Sequence, residues 1–419
     1  MKDATWLFWL CAGRVCFSTI VVSYSASLAL LKADWSMTAG QAGIVQSAFH
    51  LGSLVSLFAV GFLTDSYGAK RTFLVASIAA SLSALLFGFF ARGFFSAFVL
   101  YGLAGMCSGG SYTPGLTLIA ERFPVARRGW AMGLYLAASS LGYAFCLFAS
   151  SALFPLGGWQ AALIVTSVGP PLGAVIGYGV LRGTPNIVHL SADARMGLAA
   201  IATVWKNRPA MLVIWAYTFH CWELMGLWAW LPAFLSAAAG GGITNVRAVS
   251  LGVILSGVTY LTSVAGNITA GTLCDRRGRT YAILLMSIVS LGCSFTFGWM
   301  IGLPLSLLLV VAMLYNFSAI GDSSVYSTAL TELVPPSHLG AAYSLRSVLG
   351  FSAGAISPWA FGAILDLVRV FSPSSDLWAW GLAWTLLGVG ALPGPWMTRR
   401  LRRMPESERM GGGLSLIHI

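Results

Sequence analysis

Ionisable side chains stand deep inside otherwise apolar stretches of this chain: Arg14, His50, His220, Glu223, Asp322 and Arg346. A charge at mid-membrane costs a few kcal/mol by insertion scales, so each must face a partner or a wet cavity. His220 and Glu223 are three residues apart and share a helix face. A carboxylate in a low-dielectric setting can exchange a proton at physiological pH, and a nearby imidazole adds a second titrating group. His220 and Glu223 are therefore the candidate proton-coupling residues, weighed evenly against a static pair that braces the helix. The Arg14 guanidinium can hold a carboxylate bidentately, or it can pair with Glu223 or Asp322. Asp322 lies in a polar patch with Asn316, Ser318, Ser323 and Ser324, which reads as a cavity wall. Trp222 belongs to an aromatic run from Trp215 to Trp230. Arg14, Trp222, Asn316, Asp322 and Arg346 are the candidate substrate-binding residues. Arg346 can equally snorkel to an interface, and His50 reads as a satisfied buried histidine. No HExxH or metal-ligand cluster occurs, so no catalytic residue, cofactor or metal is expected.

The elements that carry these residues follow from composition. Of 419 residues, 57% are hydrophobic and 9% are charged, against about 25% charged in a soluble domain. A soluble enzyme and a disordered chain are both excluded. Stretches of about 20 apolar residues mark membrane spans, and twelve occur: 6–31, 42–64, 72–91, 95–120, 129–154, 160–181, 209–235, 247–273, 280–302, 304–333, 340–368 and 377–398. Pro170-Pro171 and Pro358 are expected to bend spans 6 and 11. Of 24 Lys and Arg, only Lys32, Arg92, Arg247 and Arg369 fall on one side and Arg14 and Arg346 inside spans. The bias places both termini in the cytoplasm. It explains the net charge of +11 without nucleic acid, and contact with membrane lipid is expected. The expected domains are 1–181, a linker 182–208 with a surface helix from Ala192 to Trp205, 209–398, and a disordered tail 399–419.

The two halves repeat. Gly61, Asp65 and Gly68 recur as Gly271, Asp275 and Gly278, an offset of 210. Glu121, Pro124 and Gly129 recur as Glu332, Pro335 and Gly340, an offset of 211. Two landmarks at nearly one offset, each on the same membrane side in both halves, indicate parallel repeats.

The G-x-x-x-D-x-x-G loops resemble the signature of the major facilitator superfamily. Asp275-Arg276-Arg277-Gly278-Arg279 matches its core; the first copy keeps Asp65 and Gly68, has Ser66 and Ala69, and is followed by Lys70 and Arg71. The resemblance implies an all-α membrane protein of twelve transmembrane helices, in two pseudo-symmetric six-helix repeats around a central cavity. Spans 3, 6, 9 and 12 would lie outside. It also implies a cytoplasmic gate of Gly61, Asp65, Gly68, Arg71, Gly271, Asp275, Arg276, Gly278 and Arg279. In it each Asp meets a helix start in the opposite half, and the basic residues meet lipid or loop acids such as Glu121 and Glu332.

The expected function is secondary active transport of a small solute by alternating access, with a proton as possible partner. A small organic anion such as a monocarboxylate is favoured. Export of a cationic or amphipathic compound through Glu223 and Asp322, and a transporter-like sensor, are the alternatives. A monomer in the plasma (inner) membrane is expected.

Overall fold

The computed structural model describes residues 2–188, 194–240, 245–335 and 338–410. Of the tail 399–419, expected to be disordered, residues 411–419 lie outside them, as does part of the linker; its first part is ordered instead, helical to Arg402 and then a 3-10 turn over Pro405–Arg409. Among the described residues all regular structure is helical.

Spans 1–4 are α1 (Asp3–Asp34), α2 (Ala39–Tyr67), α3 (Ala69–Phe90) and α4 (Phe94–Arg122). A continuous run, Trp130–Leu181, follows. It is two spans, because Gly157 and Gly158 leave helical geometry, Gly158 at φ 65°. We label residues 125–156 α5 and 159–181 α6. The described part of the linker carries a helix over Ala194–Lys206, with Val204 buried. Then come α7 (Arg208–Ala238), α8 (Val246–Arg277), α9 (Arg279–Met300), α10 (Leu305–Leu333), α11 (Leu339–Phe371) and α12 (Asp376–Arg402). Many large apolar side chains are exposed, among them Phe58, Val75, Phe95, Val175, Ile268 and Val310. In water that surface would be untenable; in lipid it is the expected exterior.

The chain forms two compact units. One is Met1–Ser191 with Trp228–Leu261; the other is Ala192–Leu227 with Thr262–Ile419. In the first unit, Val249, Val253 and Tyr260 of α8 share one core with Val22, Ala26, Tyr143 and Leu147. Small residues bring helices together, as membrane packing requires. A Cβ on Gly52 of α2 would stand 2.2 Å from the Gly102 carbonyl oxygen of α4. In the second unit a Cβ on Gly266 of α8 would stand 2.4 Å from the Phe317 carbonyl oxygen of α10.

The repeated loops share one backbone geometry. Gly68 ends α2 at φ 86°, ψ 151°, and Gly278 ends α8 at φ 88°, ψ 159°. That conformation is essentially reserved for glycine, so the recurrence of these two glycines is a turn requirement. Gly61 and Gly271 sit inside helices with open space around them.

Both halves also break a span at the same place, which sequence periodicity did not reveal. α4 passes through a 3-10 turn, Gly109–Ser111, before resuming at Thr113. α10 is interrupted at Asp322, between Gly321 and Ser323. Span 6 is interrupted at Val168, just before Pro170-Pro171, whereas Pro358 lies within the uninterrupted run Leu339–Phe371.

Candidate functional site

The first unit holds Arg14. Its Nε donates to Ser139 Oγ of α5 at 2.7 Å and its Nη1 to Ser111 Oγ of α4 at 2.8 Å. The guanidinium carbon lies 5.3 Å from the Tyr112 ring centre and 5.6 Å from that of Tyr135. Tyr135 donates in turn to the Ser111 carbonyl. Two hydroxyls and two rings thus hold a half-buried cation, and among the described residues no carboxylate of this unit neutralises it. An arginine carries five N–H donors, so the group retains capacity to bind an anion.

The second unit holds His220, Glu223 and Asp322, all buried. His220 Nε2 pairs with Ser323 Oγ at 2.7 Å, and its Nδ1 lies 3.0 Å from Asp322 Oδ1. His220 and Asp322 thus form a close buried pair. Glu223 accepts from Ser290 at 3.0 Å and from Ser294 at 2.5 Å, both on α9, and Ser294 also pairs with Tyr315 of α10. The static His220–Glu223 pair, one of the two readings of the sequence, is therefore not what forms. Glu223 turns to α9, which beyond Arg279 has no Asp, Glu, Lys, Arg or His but carries Ser287, Ser290 and Ser294 on one stripe. The two acids line a common small cavity with His220, Ser287 and Tyr326.

Arg346 of α11 does not extend toward an interface. Its Nη1 donates to Ser327 Oγ of α10 at 2.6 Å, and its guanidinium stacks on Tyr217 and Tyr343, 4.4 Å and 4.9 Å from their ring centres. Tyr217 in turn packs against His220. Trp222 lies apart from these groups, its indole against Gly390 of α12. Asn316 is buried on α10, one residue from Tyr315. His50 is buried with its Nε2 3.3 Å from Gln46 Nε2, as a satisfied histidine should be.

Of the loop residues, Asp275 is exposed and bonded to Arg279 at 2.6 Å, and Arg279 also grips Glu332 of α10 at 3.0 Å. Arg277 lies over Tyr281. The backbone N–H of Arg71 donates to Asn186, whose side chain also reaches the Tyr67 carbonyl. The first copy has Ala69 where the second has Arg279.

The serine and tyrosine partners of Arg14, Glu223 and Arg346 were missed from sequence. The serine stripe on α9 was the one readable signal.

A family model described as the Major Facilitator Superfamily matches residues 8–358. A protein of Cupriavidus necator named "Probable sulfoacetate transporter" is 25% identical over 88% of this chain and 88% of its own. One of Cupriavidus pinatubonensis named "Probable 4-methylmuconolactone transporter" is 24% identical over 92% and 90%. The crystal structure of the nucleoside transporter NupG superposes with a TM-score of 0.75, covering 94% of this chain and 99% of that one at 13% identity, which shows the fold. These are transporters and not enzymes. With its membrane-length apolar helices, the repeated loops and a family match over most of its length, this multi-pass membrane protein belongs to the Major Facilitator Superfamily.

Proposed function

We propose that the chain is a secondary carrier of a small organic anion, a monocarboxylate or compact dianion, moved by alternating access and coupled to protons. The observation that carries this reading is Arg14: a fixed cation held by Ser111 and Ser139 and flanked by two rings, with N–H groups to spare. Its relatives bear on the same point, since sulfoacetate and the methylmuconolactone are small organic acids. Glu223 and Asp322 are engaged by serines and by His220 inside one unit. That favours a titrating role for them over direct capture of a cationic drug.

In this reading Arg14 and Asn316 contact substrate, and Trp222 and Arg346 support the walls. His220 and Glu223 carry the proton, and Asp322, expected as a substrate ligand, stands beside His220. Gly61, Asp65, Gly68, Arg71, Gly271, Asp275, Arg276, Gly278 and Arg279 form the gate, which lies on the cytoplasmic side by the charge bias. Residues 1–181 and 209–398 are the rocking halves, joined by 182–208, in a monomer of the plasma membrane. The test is uptake of radiolabelled sulfoacetate, acetate and a quaternary ammonium into proteoliposomes, with and without an imposed pH gradient. Gradient-driven accumulation of an anion is expected; accumulation of the cation alone would overturn the reading.

A further inference from the structure

Arg346 of α11 is held by the second unit much as Arg14 is held by the first. In the first unit one serine serves both partners: Ser111 Oγ accepts from Arg14, and the Ser111 carbonyl accepts from Tyr135. In the second, Ser327 Oγ accepts from Arg346 at 2.6 Å, and the Ser327 carbonyl accepts from Tyr343 at 3.2 Å. Each guanidinium also lies over two tyrosine rings, those of Arg346 being Tyr217 and Tyr343. What Arg346 lacks is a counter-charge. Arg279 of the same unit is neutralised by Asp275 at 2.6 Å and Glu332 at 3.0 Å, whereas Arg346 forms no ion pair among the described residues. Its Nε is buried without an acceptor. The buried acids of the unit are committed elsewhere, Asp322 to His220 and Glu223 to Ser290 and Ser294. A hydroxyl and two rings orient a guanidinium but leave its charge uncancelled, and a charge within a span needs a partner or a wet cavity. A residue that merely ties α11 to α10 needs one donor for Ser327, which an uncharged amide supplies at less cost.

We infer that Arg346 is a second anion receptor, taking a carboxylate or sulfonate in the second unit as Arg14 does in the first, so that the chain holds two acid groups at once. This deepens the carrier reading given above, on which it rests, and assigns Arg346 more than a supporting place in the wall. The chemistry is that of a guanidinium fork. Ser327 occupies Nη1, and the edge formed by Nε and Nη2, which takes a carboxylate with two parallel hydrogen bonds, has no protein acceptor among the described residues. The second acid group has two sources. It is the far end of a compact dianion, a dicarboxylate or sulfocarboxylate, or it is a separate small anion; the recognition is the same in both.

Arg346→Gln keeps a donor for Ser327 and removes the charge. Equilibrium dialysis of radiolabelled sulfoacetate, a dianion, and acetate, a monoanion, against the purified protein in detergent reads both receptors. In a variant that melts within a few degrees of the wild type, sulfoacetate affinity should fall about tenfold or more, the loss of one charge-assisted contact, while acetate affinity changes less than about twofold. That result assigns the second acid group to the same molecule. Two acetates bound per wild-type chain, reduced to one in Arg346→Gln, assign it to a separate anion. Arg346→Lys is the second variant, used where the glutamine protein does not fold. It keeps the charge over Tyr217 and Tyr343, loses the two-donor edge, and should weaken sulfoacetate about threefold or more. Unchanged binding of both anions in a folded variant, or an equal loss of affinity for both, overturns the inference and leaves the reading of Arg14 in place. A wild type that binds neither anion overturns both.

Discussion

Asp322 stands in the second half where Ser111 stands in the first: each lies at the break of its span, and the two are 211 residues apart, the offset of Glu121 and Glu332. Each is met by a basic residue from the first span of its own half, Ser111 by Arg14 and Asp322 by His220. The neighbouring cation–aromatic contact is exchanged as well. Arg14 lies over Tyr135, and the residue equivalent to Tyr135 is Arg346, which lies over Tyr217. One ancestral constellation has thus been filled in two ways. The first half keeps a permanent cation beside neutral hydroxyls, and the second keeps an imidazole beside a carboxylate.

Ser111→Asp tests what the neutral hydroxyl achieves. It brings a carboxylate within hydrogen-bond reach of Arg14 and forms an internal ion pair. Removing one partner from such a buried pair is costly, so a substrate anion would have to compete with a fixed one. Uptake of the transported anion should fall at least tenfold while the melting temperature holds or rises. Wild-type uptake by a folded Ser111→Asp protein would remove Arg14 from the binding site.

Arg14→Lys keeps the charge and loses the fork. A lysine ammonium is a point donor that cannot bind two serines and a carboxylate in one plane. Hydrogen bonds to charged groups contribute about 1.5–3 kcal/mol, and about 1.4 kcal/mol is tenfold in affinity. The expected result is a KM raised at least tenfold with a smaller change in kcat, measured in proteoliposomes. An unchanged KM would show that the charge alone, or another residue, recognises the anion.

The twelve spans, the repeat and the two turn glycines were legible because each is written locally: a length of apolar residues, a spacing, a conformation that only glycine adopts. The direction in which a buried side chain points was not. α7 is apolar around nearly its whole circumference, so amphipathic periodicity cannot tell whether Glu223 faces a central cavity or α9. The serines that answer the question are inconspicuous, since hydroxyls in spans satisfy themselves on the preceding turn, as Thr218 does on Ile214. The breaks at Ser111 and Asp322 were hidden for a related reason. Gly109-Gly110 and Gly321 read equally well as close-packing glycines, and α4 and α10 do pack closely on α2 and α8.

Glu223→Gln removes the titratable proton while leaving an acceptor for Ser290 and Ser294. Accumulation driven by an imposed pH gradient should disappear. Counterflow, which exchanges labelled for unlabelled anion with no net proton movement, should persist at near wild-type rate. Retention of both would assign the coupling proton to another group, and loss of both would make Glu223 a structural brace.

Asp65→Ala and Asp275→Ala separate a gate from a surface decoration. The Asp275–Arg279 pair is largely exposed on the acid's side, and such pairs contribute about 0–1 kcal/mol. Arg279 also keeps Glu332 when Asp275 is gone. Thermal stability should therefore barely change in Asp275→Ala, so any loss of transport reports on the conformational cycle. Slowed transport with substrate binding intact is expected for both variants. Unaltered transport, together with unaltered accessibility of cysteines placed on either side, would rule the gate out.

Gly68→Ala and Gly61→Ala divide the repeated spacing of the loop into a part needed for folding and a part that is not. At φ 86°, ψ 151° an alanine at position 68 pays about 1–3 kcal/mol of backbone strain. Its Cβ would also fall 2.5 Å from Asn186 Nδ2 and 2.7 Å from the Ile187 carbonyl oxygen. That contact would loosen the link by which Asn186 ties the α2–α3 turn to the segment after α6. At position 61 nothing lies within 4 Å and the backbone is helical, where alanine is favoured over glycine by roughly 0.5–1 kcal/mol. In detergent, Gly68→Ala should melt several degrees below the wild type, and Gly61→Ala at or above it. If the two variants melt together, the matched turns at Gly68 and Gly278 do not set the stability of the loops.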